Sequence, residues 1–348
     1  MASVSDDKKA ERALLRDKYG QAISDLLKEL RFQPKAAYGH GEFTGLGISL
    51  GSFDPYDEKF LGSRACLFRP MTLEEFGEYS IPESELDGGG IDYYINFDEI
   101  YDIPANAKYS SPSYIMRERA FQIYSYLEVC HDYLRKKTGR DLEFFDEITG
   151  WFQIKLSLYD NSFLDNGERL MRGRRGGDFP QWDTHAEREW QEDYDNPETL
   201  RPHIMLIICT GAEVKENELL FGELGPIAQA IENRLQQKEF ENTSLFPVLA
   251  ISLLGPRHGR LVQAHFNKSG MLKVLVSPIY SFVRKADAPF DLFLRYCACK
   301  PQDGPEYEFY NEEEDTAAQT HQYVAPLSGS DIENIPPKED DSPFTEEA

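Results

Sequence analysis

The sequence predicts an α+β fold in which helices flank a mixed β-sheet. An almost unbroken apolar run at 203–209 is typical of an interior strand that is buried on both faces. A helical pattern follows it, and three further strand segments follow the helix. This order of strand, helix, strand, hairpin and hairpin requires parallel and antiparallel neighbours in one sheet.

Length and composition define the broad class of protein. The chain has 348 residues, of which 41% are hydrophobic, enough to bury a full core. Lys and Arg number 37 against 61 Asp and Glu, a net charge of −24. Because this charge repels phosphates and anionic lipid headgroups, it argues against a nucleic-acid partner and against membrane contact.

Charge also divides the chain near residue 302. Residues 303–348 carry 14 acidic side chains against the single basic Lys338, a net charge of −13. Such a segment buries too little apolar surface to offset the entropy of ordering. We therefore predict a single globular domain over 1–302 and a disordered acidic tail over 303–348.

Helices are predicted at 6–31, 111–137 and 225–240 from apolar residues at helical spacing. Strands are predicted from alternating or continuous apolar runs at 65–68, 91–97, 151–159, 203–209, 246–254, 260–266 and 272–279. Between 160 and 200 the periodicity is lost and charged residues dominate, which predicts a charged insertion that is a long loop or partly ordered.

Targeting and cysteine usage indicate the compartment. The N-terminal residues lack the apolar region of a secretory signal, and the longest apolar stretches, 204–209 and 245–254, are far shorter than a membrane span. The five cysteines contain no C-x-x-C pair, which favours reduced, buried thiols and no metal site. We expect a cytoplasmic or nuclear protein.

One serine motif suggests a hydrolase. Gly47-Ile-Ser49-Leu-Gly51 has the letters of a nucleophile elbow, for which His258 or His265 would be the distant base. Such an elbow needs a strand before the serine and a helix after it. Ser52-Phe-Asp-Pro55 follows here instead, so we interpret this stretch as a glycine-rich strand or loop.

Two basic islands are candidates for binding an anion or an acidic partner. The first holds Arg169, Arg172, Arg174 and Arg175 in the charged insertion, and the second holds Arg257, His258 and Arg260 in a turn between two predicted strands. Guanidinium groups on loops can bind carboxylate or phosphate oxygens in a bidentate manner. The alternative is ordinary solvated loop charge.

The order helix, strand, strand, helix, strand resembles the core of restriction-endonuclease-like nucleases. That resemblance implies a magnesium site built from a Glu-x-Lys on a strand and a nearby Asp. Glu213-Val-Lys215 supplies the first motif and Asp160 the second carboxylate, so these three residues are the candidate catalytic set. The sequence departs from the family pattern because Glu213 follows the predicted strand 203–209 rather than lying in it.

A second resemblance covers 246–282. The segment from Phe246-Pro-Val-Leu-Ala-Ile through Gly-Pro-Arg257-His-Gly-Arg260 to Phe282 is similar to a segment of uncharacterised intracellular proteins of filamentous fungi. The resemblance implies a fungal intracellular protein, and it carries no functional residue over to this chain.

Two functions from different classes follow. The sequence favours a protein-interaction or regulatory module without catalysis and without a cofactor, since its polar residues form no compact catalytic group. The alternative is a metal-dependent, nuclease-like phosphoester hydrolase using Mg²⁺, or a degenerate relative of one.

Overall fold

The strand at Leu200–Thr210 is an interior strand of a mixed β-sheet that is covered by helices on both faces. A computed structural model describes residues 4–86, 94, 96–98, 112–138, 141–154, 170–173 and 179–302. The predicted α+β class, with a mixed sheet flanked by helices, is confirmed. The predicted tail at 303–348 lies outside the described residues.

The helices are α1 (Val4–Phe32), α2 (His40–Phe43), α3 (Glu58–Leu61), α4 (Leu73–Phe76), α5 (Glu83–Leu86), α6 (Pro112–Tyr133), α7 (Phe145–Ile148), α8 (Phe221–Gln236) and α9 (Phe290–Cys297). Short 3₁₀ turns lie at Pro197–Thr199, Lys238–Phe240 and Lys285–Asp287. Among the described residues, no helix has both the length and the hydropathy that crossing a bilayer requires.

The strands are β1 (Ala37–Tyr38), β2 (Ile48–Ser52), β3 (Phe68–Arg69), β4 (Arg135–Thr138), β5 (Asp141–Phe144), β6 (Trp151–Gln153), β7 (Arg172–Gly173), β8 (Trp182–Gln191), β9 (Leu200–Thr210), β10 (Leu219–Leu220), β11 (Val248–Leu254), β12 (His258–Phe266), β13 (Leu272–Val276), β14 (Tyr280–Ser281) and β15 (Lys300–Pro301). The large sheet has the order β2-β13-β12-β11-β9-β8-β6, with β14 beside β12 and β7 beside β8. The pairs β2 with β13 and β9 with β11 are parallel, and the other neighbours are antiparallel.

The sheet separates two apolar cores because successive residues of β9 point to opposite faces. Leu206 belongs to the core formed with α1 and α8, where Leu27 and Ile231 are fully buried. Ile207 belongs to the core formed with α6 and α9, where Ile123 is fully buried. The continuous apolar sequence of β9 is therefore explained by helices on both sides.

The three predicted helices are present with shifted ends. The predicted helix 6–31 is α1, and 225–240 is α8, which begins earlier at Phe221 because Glu223 accepts the backbone N–H of Leu220 and caps it. The helix predicted to reach residue 137 ends at Tyr133, since Arg135–Thr138 instead pairs with β5.

Most predicted strands are also present. The segments 203–209, 246–254, 260–266 and 272–279 correspond to β9, β11, β12 and β13. The prediction at 65–68 is shifted to β3, and only residues 151–154 of the prediction at 151–159 are described, with β6 among them. The strand predicted at 91–97 is wrong at its described positions Tyr94, Asn96 and Phe97, which lie outside any strand.

The expectation of a long loop or partly ordered insertion over 160–200 is wrong at 182–191. These residues form β8, an interior strand between β9 and β6. Two of its buried charged side chains have partners inside the protein. Arg188 binds Glu128 of α6 at 2.7 Å, and Glu189 binds Arg234 of α8 at 3.1 Å. Because these pairs neutralise buried charge, a polar sequence can occupy the interior.

Candidate functional site

The described surface contains a cleft at the carboxyl end of β9, where α6 begins. It has a volume of about 350 Å³ and we call it the α6 groove. Its lining residues come from five separate stretches of the chain: Ala36, Ala37, Pro112, Ser113, Met116, Pro180, Gly211, Ala212, Glu213 and Leu220. The carboxyl ends of parallel strands are where open α/β sheets usually bind ligands.

Glycines bring α6 close to the strand ends. A Cβ atom on Gly211 would lie 1.9 Å from the carbonyl oxygen of Ser113, so only glycine fits between β9 and the helix. A Cβ on Gly255, just after β11, would lie 2.6 Å from the Cβ of Met116. The first turn of α6 is therefore held against the ends of two parallel strands, and it forms one wall of the groove.

Several backbone polar groups around the groove have hydrogen-bond partners within the chain. Ser113 Oγ accepts the backbone N–H of Gln181 at 2.7 Å, and the backbone N–H of Gly211 donates to the Gln181 carbonyl at 2.8 Å. Across the groove, the Ala36 carbonyl accepts the N–H of Phe221 at 3.0 Å. The side chains that line the groove are mainly those of alanine, proline, methionine and leucine.

A cluster of charged groups lies on α6, β7 and β8, close in sequence to the groove residues Met116 and Pro180. Arg117 Nη1 lies 3.5 Å from Asp183 Oδ2, and Arg172 Nε lies 3.7 Å from Asp183 Oδ1. Arg117 also forms an ion pair with Glu118. Asp183 thus lies between two guanidinium groups, which compensate its charge and compete with any metal ion for its oxygens.

His185 completes this Asp183 cluster. A register shift between Thr184 and Ala186 marks a β-bulge that contains His185, and bulges re-aim side chains. Its ring stacks on Tyr124 at 5.0 Å and lies 4.8 Å from the ring of Phe121. Burial lowers the pKa of His185, opposed by Asp183 and reinforced by Arg117 and Arg172. A neutral imidazole results at neutral pH.

The candidate catalytic residues do not form a site together among the described residues. Glu213 is exposed and borders the groove, whereas Lys215 is 84% exposed and pairs with Glu218 at 3.2 Å. Both follow the end of β9 at Thr210, which agrees with the departure from the nuclease pattern seen in the sequence. Asp160 lies outside the described residues.

The second basic island is not a solvated turn. Arg257 and Arg260 are both 0% exposed, which corrects the expectation that their guanidinium groups face solvent. Arg257 donates to Gln122 Oε1 at 2.8 Å and to the Phe97 carbonyl at 2.9 Å. Arg260 donates to Glu223 at 2.8 Å. His258 is the partly exposed member, at the start of β12.

The first island is described in part. Arg172 is 62% exposed and reaches Asp183, so it remains accessible to a partner. Arg169, Arg174 and Arg175 lie outside the described residues, and their predicted role in binding stays a prediction.

Ser49 lies in β2, where Lys273 of β13 is its neighbour. No helix begins directly after it among the described residues, because β2 continues to Ser52. This position is a strand and not a strand-to-helix elbow, in agreement with our interpretation of the stretch.

Sequence reasoning missed Asp183 and His185. The alternation within Trp182-Asp-Thr-His-Ala186 was the available pattern, but the surrounding charge obscured it. In the part of the chain that the structure describes, no group of three or more His, Cys, Asp or Glu side chains is arranged to hold a metal ion. Comparison with protein-family models, with curated proteins and with solved structures gives no match.

Proposed function

We propose that this chain is a protein-interaction module of the cytoplasm or nucleus that binds a short segment of a partner protein in the α6 groove. No catalysis is part of this function. The observation that carries the proposal is the groove itself, about 350 Å³ of mainly apolar surface at the carboxyl end of β9. Binding sites are typically concave and apolar with few polar groups, and this groove has that character.

The size of the groove fits one or two apolar side chains of a peptide. Burying one Leu, Met or Phe side chain contributes about 1.5–3 kcal/mol. After the cost of ordering the peptide, we expect dissociation constants in the micromolar range, typical of short docking segments.

The test uses the full chain and random peptides. Dodecapeptides displayed on phage are selected on the immobilised protein, and selected sequences are synthesised and measured by fluorescence anisotropy. Ala36→Trp fills the groove from an exposed position, and Ala10→Trp adds the same side chain to an exposed position of α1. We expect Ala36→Trp to weaken binding at least about tenfold and Ala10→Trp to leave it unchanged. Failure to select peptides, or equal binding by both variants, rejects the proposal.

The second candidate is a metal-dependent, nuclease-like phosphoester hydrolase or a degenerate relative of one. The observation in its favour is that the chain contains, in this order but with shorter elements between them, helix α6, strands β8 and β9, helix α8 and strand β11. The described residues do not fit a Mg²⁺ site, because Asp183 is held by two arginines and Glu213 stands alone at the groove. A melting temperature raised by millimolar MgCl₂ and returned to the metal-free value by Asp183→Asn would favour an intact metal-dependent hydrolase over a degenerate one.

A further inference from the structure

We propose that the α6 groove recognises an apolar side chain flanked by lysine or arginine, and that Glu213 binds this cation. The inference rests on the proposed function and adds to it the chemistry of the partner segment. It identifies Glu213 as a specificity-determining residue and commits the groove to a basic, apolar peptide as its occupant.

Basic side chains near the groove already have acidic partners within this chain. Lys35, which precedes the groove residue Ala36, forms an ion pair with Glu42. Lys215, in the turn after β9, pairs with Glu218 at 3.2 Å. Arg117, which follows the groove residue Met116, is engaged by Glu118 and Asp183. These pairings leave little positive charge to attract an anionic ligand.

Glu213 differs from these residues. Its side chain borders the groove and is exposed, and within the described residues its carboxylate has no hydrogen bond or ion pair. A charged group beside an apolar cleft can supply the orientation that apolar contacts lack. A carboxylate accepts hydrogen bonds from a guanidinium or ammonium group, and these charge-assisted bonds are stronger than neutral ones.

The start of α6 opposes this attraction only in part. Pro112 and Ser113 line the groove, so the positive end of the helix dipole faces it. That end is equivalent to about half an elementary charge, whereas Glu213 carries a full negative charge. The net charge of −24 adds a long-range field of the same sign as Glu213. The charge of Glu213 and the net charge of the chain therefore both favour a cationic partner segment over an anionic one.

The experiment extends the phage selection with a charge reversal. Selection on the wild-type full chain should enrich Lys or Arg next to Leu, Met or Phe. Selection on Glu213→Lys should instead enrich Asp or Glu at the same positions. The matched control is Glu239→Lys, which makes the same change of charge at an exposed position outside the groove, and it should reproduce the wild-type selection.

Affinities of a synthetic wild-type-selected peptide make the test quantitative. We expect Glu213→Gln to weaken binding about threefold and Glu213→Lys about tenfold or more, with both effects reduced at 0.5 M NaCl. Glu239→Lys should change the affinity less than about twofold.

The outcomes separate the two proposals. If Ala36→Trp abolishes binding but wild type and Glu213→Lys select the same residues, the groove binds peptides and the role of Glu213 is rejected. If Ala36→Trp also has no effect, both proposals fail. A preference for acidic peptides on the wild-type chain overturns the charge assignment directly.

Discussion

Arg260 and Glu223 form an ion pair in which both side chains are completely buried. Arg260 Nε donates to Glu223 Oε1 at 2.8 Å, and Arg260 Nη2 donates to the Glu218 carbonyl at 2.9 Å. The same carboxylate accepts the Leu220 N–H at 2.9 Å. One acidic side chain thus caps α8 and neutralises a charge of β12, linking the helix to the sheet.

Removing one member of this pair should strongly destabilise the fold. Glu223→Gln leaves the buried charge of Arg260 without its partner, and Arg260→Met does the same to Glu223. For either variant we expect a loss of about 3–5 kcal/mol in the free energy of unfolding. The double variant Glu223→Met with Arg260→Met should cost clearly less than the sum of single changes to Met. Urea unfolding at pH 7 measures all of them.

The control for this prediction is an exposed pair. Lys215 is 84% exposed where it pairs with Glu218, so Lys215→Met should change stability by less than about 1 kcal/mol. If the free-energy losses of Glu223→Met and Arg260→Met were strictly additive in the double variant, the two buried groups would not interact energetically.

Elements with apolar periodicity could be predicted from the sequence, and β8 could not. β9 and the hairpin strands β11 and β12 are apolar because helices cover both faces of the sheet. β8 carries Arg188 and Glu189 in the interior, where Glu128 and Arg234 neutralise them. A single sequence does not show which distant residues form ion pairs. The many charged residues of this segment therefore indicated an exposed loop.

The same limit applies to the site. Glu213 could be singled out by its motif, but its place at the rim of an apolar groove depends on Ala36, Pro112 and Pro180, which only the fold brings together. The sequence also did not reveal that Arg257 and Arg260 are buried. Their partners Gln122 and Glu223 lie far away in the sequence.

Glu187 should make stability depend on pH in a direction opposite to that of most carboxylates. Burial raises the pKa of Glu187 to about 7, with Arg172 opposing the shift. Between the usual pKa of 4.5 and 7, the folded state holds a proton that the unfolded state has released. Its contribution to stability is therefore complete at low pH and falls as pH rises through 7.

Glu187→Gln should remove this dependence. Between pH 5 and pH 8 the ionisation of Glu187 should lower the unfolding free energy of the wild type by on the order of 2 kcal/mol. The variant lacks this group, so its unfolding free energy relative to wild type should rise by the same amount over that range. Urea unfolding at the two pH values gives the difference, and Glu239→Gln, at an exposed carboxylate, serves as the matched variant. An equal effect of Glu187→Gln at pH 5 and pH 8 would contradict the assignment.

The thiols should be inert in the folded protein. All five cysteines are free and buried, as the sequence predicted. Burial raises the pKa of Cys66 to about 11 and those of Cys130 and Cys297 to about 12, so little thiolate is present at pH 8. We expect no rapid reaction with Ellman's reagent in buffer and five equivalents after unfolding in guanidinium. Rapid labelling of a native thiol would instead locate an opening in its core.

Two glycines should respond oppositely to the same substitution. A Cβ on Gly20, inside α1, meets nothing within 4 Å, so Gly20→Ala should stabilise the protein by about 0.5–1 kcal/mol through the lower backbone entropy of alanine. A Cβ on Gly211 would lie 1.9 Å from a backbone oxygen of α6, which cannot rotate away.

Gly211→Ala must therefore push the start of α6 away from the end of β9. We expect a loss of about 2 kcal/mol or more in the free energy of unfolding, measured in urea beside Gly20→Ala. Because Ser113 and Gly211 are both lining residues, the same displacement should weaken peptide binding in the α6 groove. Unchanged stability of Gly211→Ala would show that α6 is not held against β9 in solution, and the groove would lose the wall on which its proposed role depends.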